Sequence, residues 1–259
     1  MAILPFVFHG RGKRKQIIMY EPGLLDHLLF LLLGVVYPLQ ALFLSRPMIR
    51  SVERWDTETK LSFYRSNSLT LLGLTALVAG GWLLAGRSPA WIGLRWPEAG
   101  HTVEVLGASL LLLGALAYEG WRDYREPEAR RRSRAHITAY LPFLPATPRE
   151  LRAFHGVSLS AAIGEEVLFR GFLMTYLMAV AGPGTAGLWL ALIFPALSFA
   201  VAHYYQGWVS VGKIAVLSLT LGILYLVSRS LLYPMLLHLI VDVVGGYMGY
   251  RLLRVGGKK

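Results

Sequence analysis

The chain has 259 residues, a formal net charge of +11 and no cysteine, and 55% of it is apolar while only 16% is charged. Ordinary soluble domains carry about a quarter charged residues, and here the charges sit in short blocks between long apolar runs, which is the pattern of a polytopic membrane protein and excludes a sizeable soluble domain. Nucleic-acid binding is excluded as well, because the basic residues flank apolar segments and no stretch interleaves them with aromatics; without cysteine there is neither disulfide nor thiol chemistry.

In chain order, Met1 to Phe8 and the basic block Arg11 to Lys15 precede an apolar run from Leu24. No small-residue cleavage site follows it, so the N-terminus reads as a retained anchor rather than a signal peptide. Apolar runs are expected at Leu24 to Leu44, Leu69 to Ala85 and Thr102 to Trp121, with a mixed-charge loop from Arg46 to Arg65. The most polar stretch runs from Arg122 to Arg152 and contains Arg130-Arg131-Arg132-Ser133-Arg134, read as an inside-loop anchor or a lipid contact. Prolines 142, 145 and 148 break it before a fourth helix from Glu150 to Val180, which Gly182-Pro183-Gly184 stops. The fifth, sixth and seventh helices are placed at Ala186 to Tyr205, Val209 to Ser228 and Leu231 to Leu253. Each is long enough to span a bilayer with some tilt. The expected fold is therefore all-α, a membrane helical bundle of about seven transmembrane helices, in two parts: residues 1–150 with the N-terminal helices and polybasic loop, and residues 151–255 as a helical core.

Most Lys and Arg fall on one side if the 46–65 loop, the 122–152 stretch and the C-terminus share it. That side is the cytoplasm by the positive-inside rule, which puts the C-terminus inside. The block at 11–15 conflicts with this unless the first segment is re-entrant or interfacial.

Three clusters carry chemistry. The fourth helix reads Gly164-Glu165-Glu166-Val167-Leu168-Phe169-Arg170. Glu165 lies roughly 20 Å along the helix from Arg152 at about 1.5 Å per residue, where a charge needs a partner or a water-filled cavity. Glu166 and Arg170 are four apart and share a face, so they read as a structural ion pair, while Glu165 points elsewhere as the free carboxylate. The fifth helix ends Phe199-x-x-x-His203, and the seventh holds His238-x-x-x-Asp242, whose carboxylate can fix the imidazole. Taken singly, each cluster also reads as an interfacial residue or an interhelical clamp. Taken together, Glu165, His203, His238 and Asp242 can converge on one cavity, where a carboxylate takes a proton from water and imidazoles stabilise an oxyanion. Glu165, His203 and His238 are also candidate zinc ligands with an open position for water. The residues do not choose between metal-bound and metal-free water; His-Glu-x-x-His and Gly-x-Ser-x-Gly are both absent.

The ordered set Glu165-Glu166-x-x-x-Arg170, Phe199-x-x-x-His203 and His238-x-x-x-Asp242 resembles the three signatures of the CPBP intramembrane proteases, the family of the CAAX prenyl endopeptidase Rce1 and of bacterial Abi-type immunity proteins. The resemblance covers about residues 164 to 242. It implies a glutamic-type or metallo-type protease with its active site inside the bundle. Glu165 would activate water, Glu166 would pair with Arg170, His203 would assist at the water, and His238 with Asp242 would stabilise the oxyanion. The last position is often Asn in Rce1-like members, and an aspartate donates no hydrogen bond unless protonated. Asp242 therefore either orients His238, carries a proton or sits near a metal.

The expected function is an intramembrane endopeptidase of a prokaryotic cell membrane, cutting a membrane-associated protein or peptide, prenylated or not. The alternatives are a non-catalytic scaffold or bacteriocin-immunity protein, for which intact Glu165, His203 and His238 are unneeded, and a proton-coupled transporter, for which no paired broken helices appear. His27, His101, Glu104, Glu119 and His155 are read as interface or loop residues.

Overall fold

The computed structural model describes residues 20–97, 100, 102–182 and 184–254, so the basic block at 11–15 and His101 lie outside the described residues. The described residues contain helices and turns and no strand. Helix α1 is Leu24–Ser51, with π-helical stretches at Leu31–Val36 and Ala41–Ser45 on either side of Pro38. Helix α2 is Thr57–Leu84, α3 is Thr102–Arg125 and α4 is Pro127–Tyr140. Helix α5 covers 148–181 and is π-helical over Glu166–Met174. Helix α6 is Thr185–Ala202, α7 is Trp208–Ser228 and α8 is Leu232–Arg254.

Among the described residues, six helices are long and apolar enough to cross a membrane: α1, α2, α3, α6, α7 and α8. Helix α5, the remaining member of the expected seven, carries Glu165, Glu166 and Arg170 in its middle and is not among them. The chain is an integral membrane protein, an all-α polytopic bundle.

Several boundaries differ from those read in the sequence, each for a local reason. Helix α2 starts at Thr57 rather than Leu69, because Asp56 caps it: its Oδ1 accepts from the Thr59 N–H at 2.9 Å. The polar stretch after Arg122 is helical over α4, where Pro127 sits in the first turn and alanine and arginine follow. Helix α6 stops at Ala202, three residues short of Tyr205, and Gly207 at φ +90° turns the chain into α7.

Contacts at two opposite ends fix the order of the helices. At one end Arg87 grips Asp26 through both guanidinium nitrogens at 2.7 and 2.8 Å, and the Leu231 N–H donates to the Gly93 carbonyl at 2.9 Å. At the other end Lys60 pairs with Glu150 at 3.1 Å, Arg149 with Glu58 at 2.7 Å, Glu119 with Lys213, and Arg46 donates to the Tyr204 hydroxyl at 3.1 Å. The chain thus alternates between the ends, and the turns around 52–56, 141–147 and 203–207 lie together at the basic one.

Candidate active site

Every residue of the π-helical stretch of α5 is buried. Such stretches are uncommon and concentrate at functional sites. Glu166 and Arg170 lie on it, with side chains 0% and 2% exposed, and pair at 2.9 Å. The guanidinium also bonds α7, where its Nη2 donates to the Ser218 hydroxyl at 2.7 Å and to the Ser218 carbonyl at 3.3 Å. It lies 4.9 Å from the centre of the Phe199 ring as well, a cation–π distance. A buried charge needs this many partners.

His238 of α8 reaches the same carboxylate. Its Nδ1 is 2.7 Å from Glu166 Oε1, so Nδ1 carries the proton that an ionised Glu166 accepts. From the spacing, Asp242, one turn further along α8, is one candidate to orient His238. Asp242 Oδ2 instead stands 3.8 Å from His238 Nε2, beyond hydrogen-bonding distance, and Glu165 Oε2 stands 3.6 Å from the same nitrogen. The imidazole is held by Glu166 at one nitrogen and presents the other between two carboxylates. The i, i+4 spacing permitted the pair within α8, but the ring turned toward the buried carboxylate of α5, where one oxygen serves both His238 and Arg170.

His203 is the residue that closes α6 rather than a member of it, at φ −95° and ψ 14°. Its Nδ1 lies 2.8 Å from the Phe199 carbonyl. A carbonyl only accepts, so Nδ1 donates, and the neutral ring leaves Nε2 with a lone pair. The imidazole thereby caps a helix C-terminus, whose free carbonyls favour such a donor. Phe199 is the shared wall: its ring centre lies 4.5 Å from that of His203, 5.0 Å from Phe169 and 6.2 Å from His238, the last edge-on.

Glu165, His203, His238 and Asp242 all line one cavity of about 510 Å³. The structure brings these four together; Glu166 and Arg170 stand behind the wall. The cavity runs toward the basic end of the bundle, between Ile49 of α1, Phe63 of α2, the loop at Phe143 and Gly246 of α8. A smaller cavity of about 40 Å³ between α1 and α2 also reaches Glu165 and His203. The zinc candidates Glu165, His203 and His238 do not form a ligand set: among the described residues no three His, Asp or Glu side chains are placed to hold a metal ion.

Sequence reasoning missed the polar residues that other segments bring to the cavity, among them Tyr37 and Gln40 of α1, Asn67 of α2, and Tyr205 and Gln206 of the turn after α6. A faint signal existed. Each is a hydrogen-bonding side chain on or beside an apolar run, and Asn67 lies on a helix that is otherwise apolar from Leu69 on. Among the histidines and acids left unassigned, Glu119 pairs with Lys213 and His27 hydrogen-bonds the Tyr176 hydroxyl at 2.7 Å, both away from the cavity.

Residues 148–244 match the family described as type II CAAX prenyl endopeptidase Rce1-like. A curated relative is the uncharacterised protein YpbD of Bacillus subtilis (strain 168), 37% identical over 89 residues, which is 34% of this chain and 41% of that protein. The chain thus matches less than half the length of that relative. No solved structure matches it.

Proposed function

We propose, from the match of residues 148–244 to the type II CAAX prenyl endopeptidase Rce1-like family, that the chain is an intramembrane endopeptidase that hydrolyses a peptide bond of a membrane-associated protein or peptide. The observation that carries this reading is the shared cavity: three motifs from α5, the end of α6 and α8 turn Glu165, His203, His238 and Asp242 into one space large enough for a peptide segment. Residues 151–255 supply the reacting groups in this reading, and residues 1–150 supply the opposite wall.

The chemistry follows from which atoms are left over. A water between Glu165 and His203 gives one proton to the carboxylate and is held through its other proton by the His203 Nε2 lone pair. The hydroxide adds to the carbonyl carbon of the peptide bond. His238, with Nδ1–H directed at Glu166, presents Nε2–H to the carbonyl oxygen when the ring carries both protons. Collapse of the tetrahedral intermediate breaks the C–N bond, and the proton on Glu165 goes to the leaving amine. The carboxyl product and the amine together contain the water consumed.

The cavity runs toward the end that carries the Arg-rich helix α4 and the C-terminus, so the substrate enters from the cytoplasmic side under the positive-inside rule. The test is cleavage of a panel of membrane-tethered peptides, prenylated and unprenylated, by the purified protein and by Glu165→Gln. Wild-type cleavage that the variant lowers by about 10²- to 10⁴-fold, the usual worth of a general base, supports the reading. A folded wild type that cuts nothing while retaining a bound partner makes it a scaffold instead.

A further inference from the structure

An oxyanion needs hydrogen-bond donors, and the groups assigned so far supply few. An ionised Glu165 and an ionised Asp242 only accept. His203 spends its Nδ1–H on the Phe199 carbonyl. His238 spends Nδ1–H on Glu166 and leaves one nitrogen, which faces Glu165 and Asp242 at 3.6 and 3.8 Å. The position one turn after His238 would hold a donor if it were an amide, but it is a carboxylate.

The cavity wall contains a donor that fills this need. Tyr205 lies on the short 3₁₀ turn Tyr204–Gln206, two residues after His203, and lines the cavity with Glu165, His203, His238 and Asp242. Its ring centre is 5.9 Å from that of His203 and 5.9 Å from that of Phe143. Its hydroxyl oxygen accepts a hydrogen bond from Gln206 Nε2 at 3.1 Å. The oxygen is therefore fixed as an acceptor by Gln206, and the hydroxyl proton is left to donate. Tyr37 of α1 and Tyr64 of α2 are the other phenols at the cavity; Tyr64 spends its hydroxyl proton on the Phe143 carbonyl, whereas Tyr205 has its oxygen held by Gln206 and lies within electrostatic range of both Glu165 and Asp242.

We propose that Tyr205 is a further catalytic residue, whose hydroxyl donates to the carbonyl oxygen of the cleaved bond as that oxygen takes on charge, a role Asp242 cannot fill as a carboxylate. This rests on the endopeptidase reading above. Tyr205→Phe keeps the ring against His203 and Phe143 and removes only the donor. Its kcat on a cleaved membrane-tethered peptide falls on the order of 10²-fold with KM little changed, as for loss of one oxyanion donor. Asp242→Asn in that background places an amide donor beside His238 and recovers about tenfold of the loss, roughly the net worth of a single hydrogen bond. An unchanged kcat in Tyr205→Phe, a loss carried by KM, or a loss that Asp242→Asn does not reduce overturns the assignment while wild-type cleavage leaves the endopeptidase reading standing. Absence of cleavage by the wild type itself overturns both.

Discussion

Glu166 Oε1 accepts from Arg170 at 2.9 Å and from His238 at 2.7 Å, so one buried carboxylate sets both a structural pair and the orientation of a cavity imidazole. Arg170 completes the arrangement by bonding Ser218 with a nitrogen that Glu166 does not use. A lysine has a single ammonium and cannot reproduce the planar fork. Arg170→Lys keeps the charge but loses the bonds to Ser218; it is expected to destabilise the protein by about 1–3 kcal/mol, the cost of leaving buried polar groups unpaired, and to lower cleavage because Glu166, which holds His238, is less firmly fixed. Thermal unfolding in detergent and the cleavage rate check both; a variant with unaltered midpoint and rate contradicts this account. Helical spacing alone revealed the Glu166–Arg170 geometry, since residues four apart share a face. The same rule pointed His238 at Asp242, and there it did not decide the outcome: a nearer acceptor on another helix took the ring.

At the scale of elements, small residues let the helices close on the site. A Cβ at Gly164 would lie 2.6 Å from Leu71 Cγ and 2.8 Å from Thr75 Oγ1, so α2 crosses α5 in contact with the residue before Glu165. Close approach through small side chains is how membrane helices pack without a hydrophobic drive between them. Gly164→Ala is expected to push α2 outward and destabilise by about 1–3 kcal/mol, the range for overpacking, with a parallel loss of cleavage as Asn67 and Glu165 separate. Gly73→Ala, on α2 itself and with open space around its Cβ position, is the control and gains about 0.5–1 kcal/mol from reduced backbone freedom. Equal unfolding midpoints for the two variants would contradict the packing argument. The sequence showed both glycines but could not distinguish them, because only the crossing of α2 and α5 makes one crowded and the other free.

At the scale of the whole molecule, each end of the bundle is locked by an ion pair, Arg87 with Asp26 at one and Lys60 with Glu150 at the other. Lys60 and Glu150, 6% and 3% exposed, tie the start of α2 to the start of α5 at the cavity mouth. Glu150 also accepts from the Thr57 hydroxyl at 2.7 Å and from the Ala146 N–H at 2.7 Å, and Lys60 donates to the Leu144 carbonyl at 2.9 Å. Lys60→Met leaves a buried carboxylate without its cation and is expected to cost about 3–5 kcal/mol, read as a lower unfolding midpoint and faster proteolysis of the 141–147 loop; an unshifted midpoint refutes it. The orientation can be read directly because the chain has no cysteine. In intact cells Gly86→Cys, in the turn at the end away from the cavity mouth, should react with an impermeant thiol reagent. Glu126→Cys, beside the Arg-rich helix, should react only after permeabilisation. The reverse pattern would invert the assigned topology.

The sequence by itself determined that the chain is helical and lives in a membrane, because apolar runs of about twenty residues have no other stable solution in water or lipid. It also singled out Glu165, Glu166, Arg170, His203, His238 and Asp242, because ionisable groups inside such runs are too costly to be incidental. Only the tertiary structure decided which of them meet, that Glu166 rather than Asp242 holds His238, that His203 caps α6 instead of lying within it, and that Tyr37, Asn67 and Tyr205 complete the wall. The division has one physical cause. Hydropathy and helical period are local and leave their mark along the chain, whereas a hydrogen-bond partner on another helix is chosen by how the helices cross, and no local pattern records that.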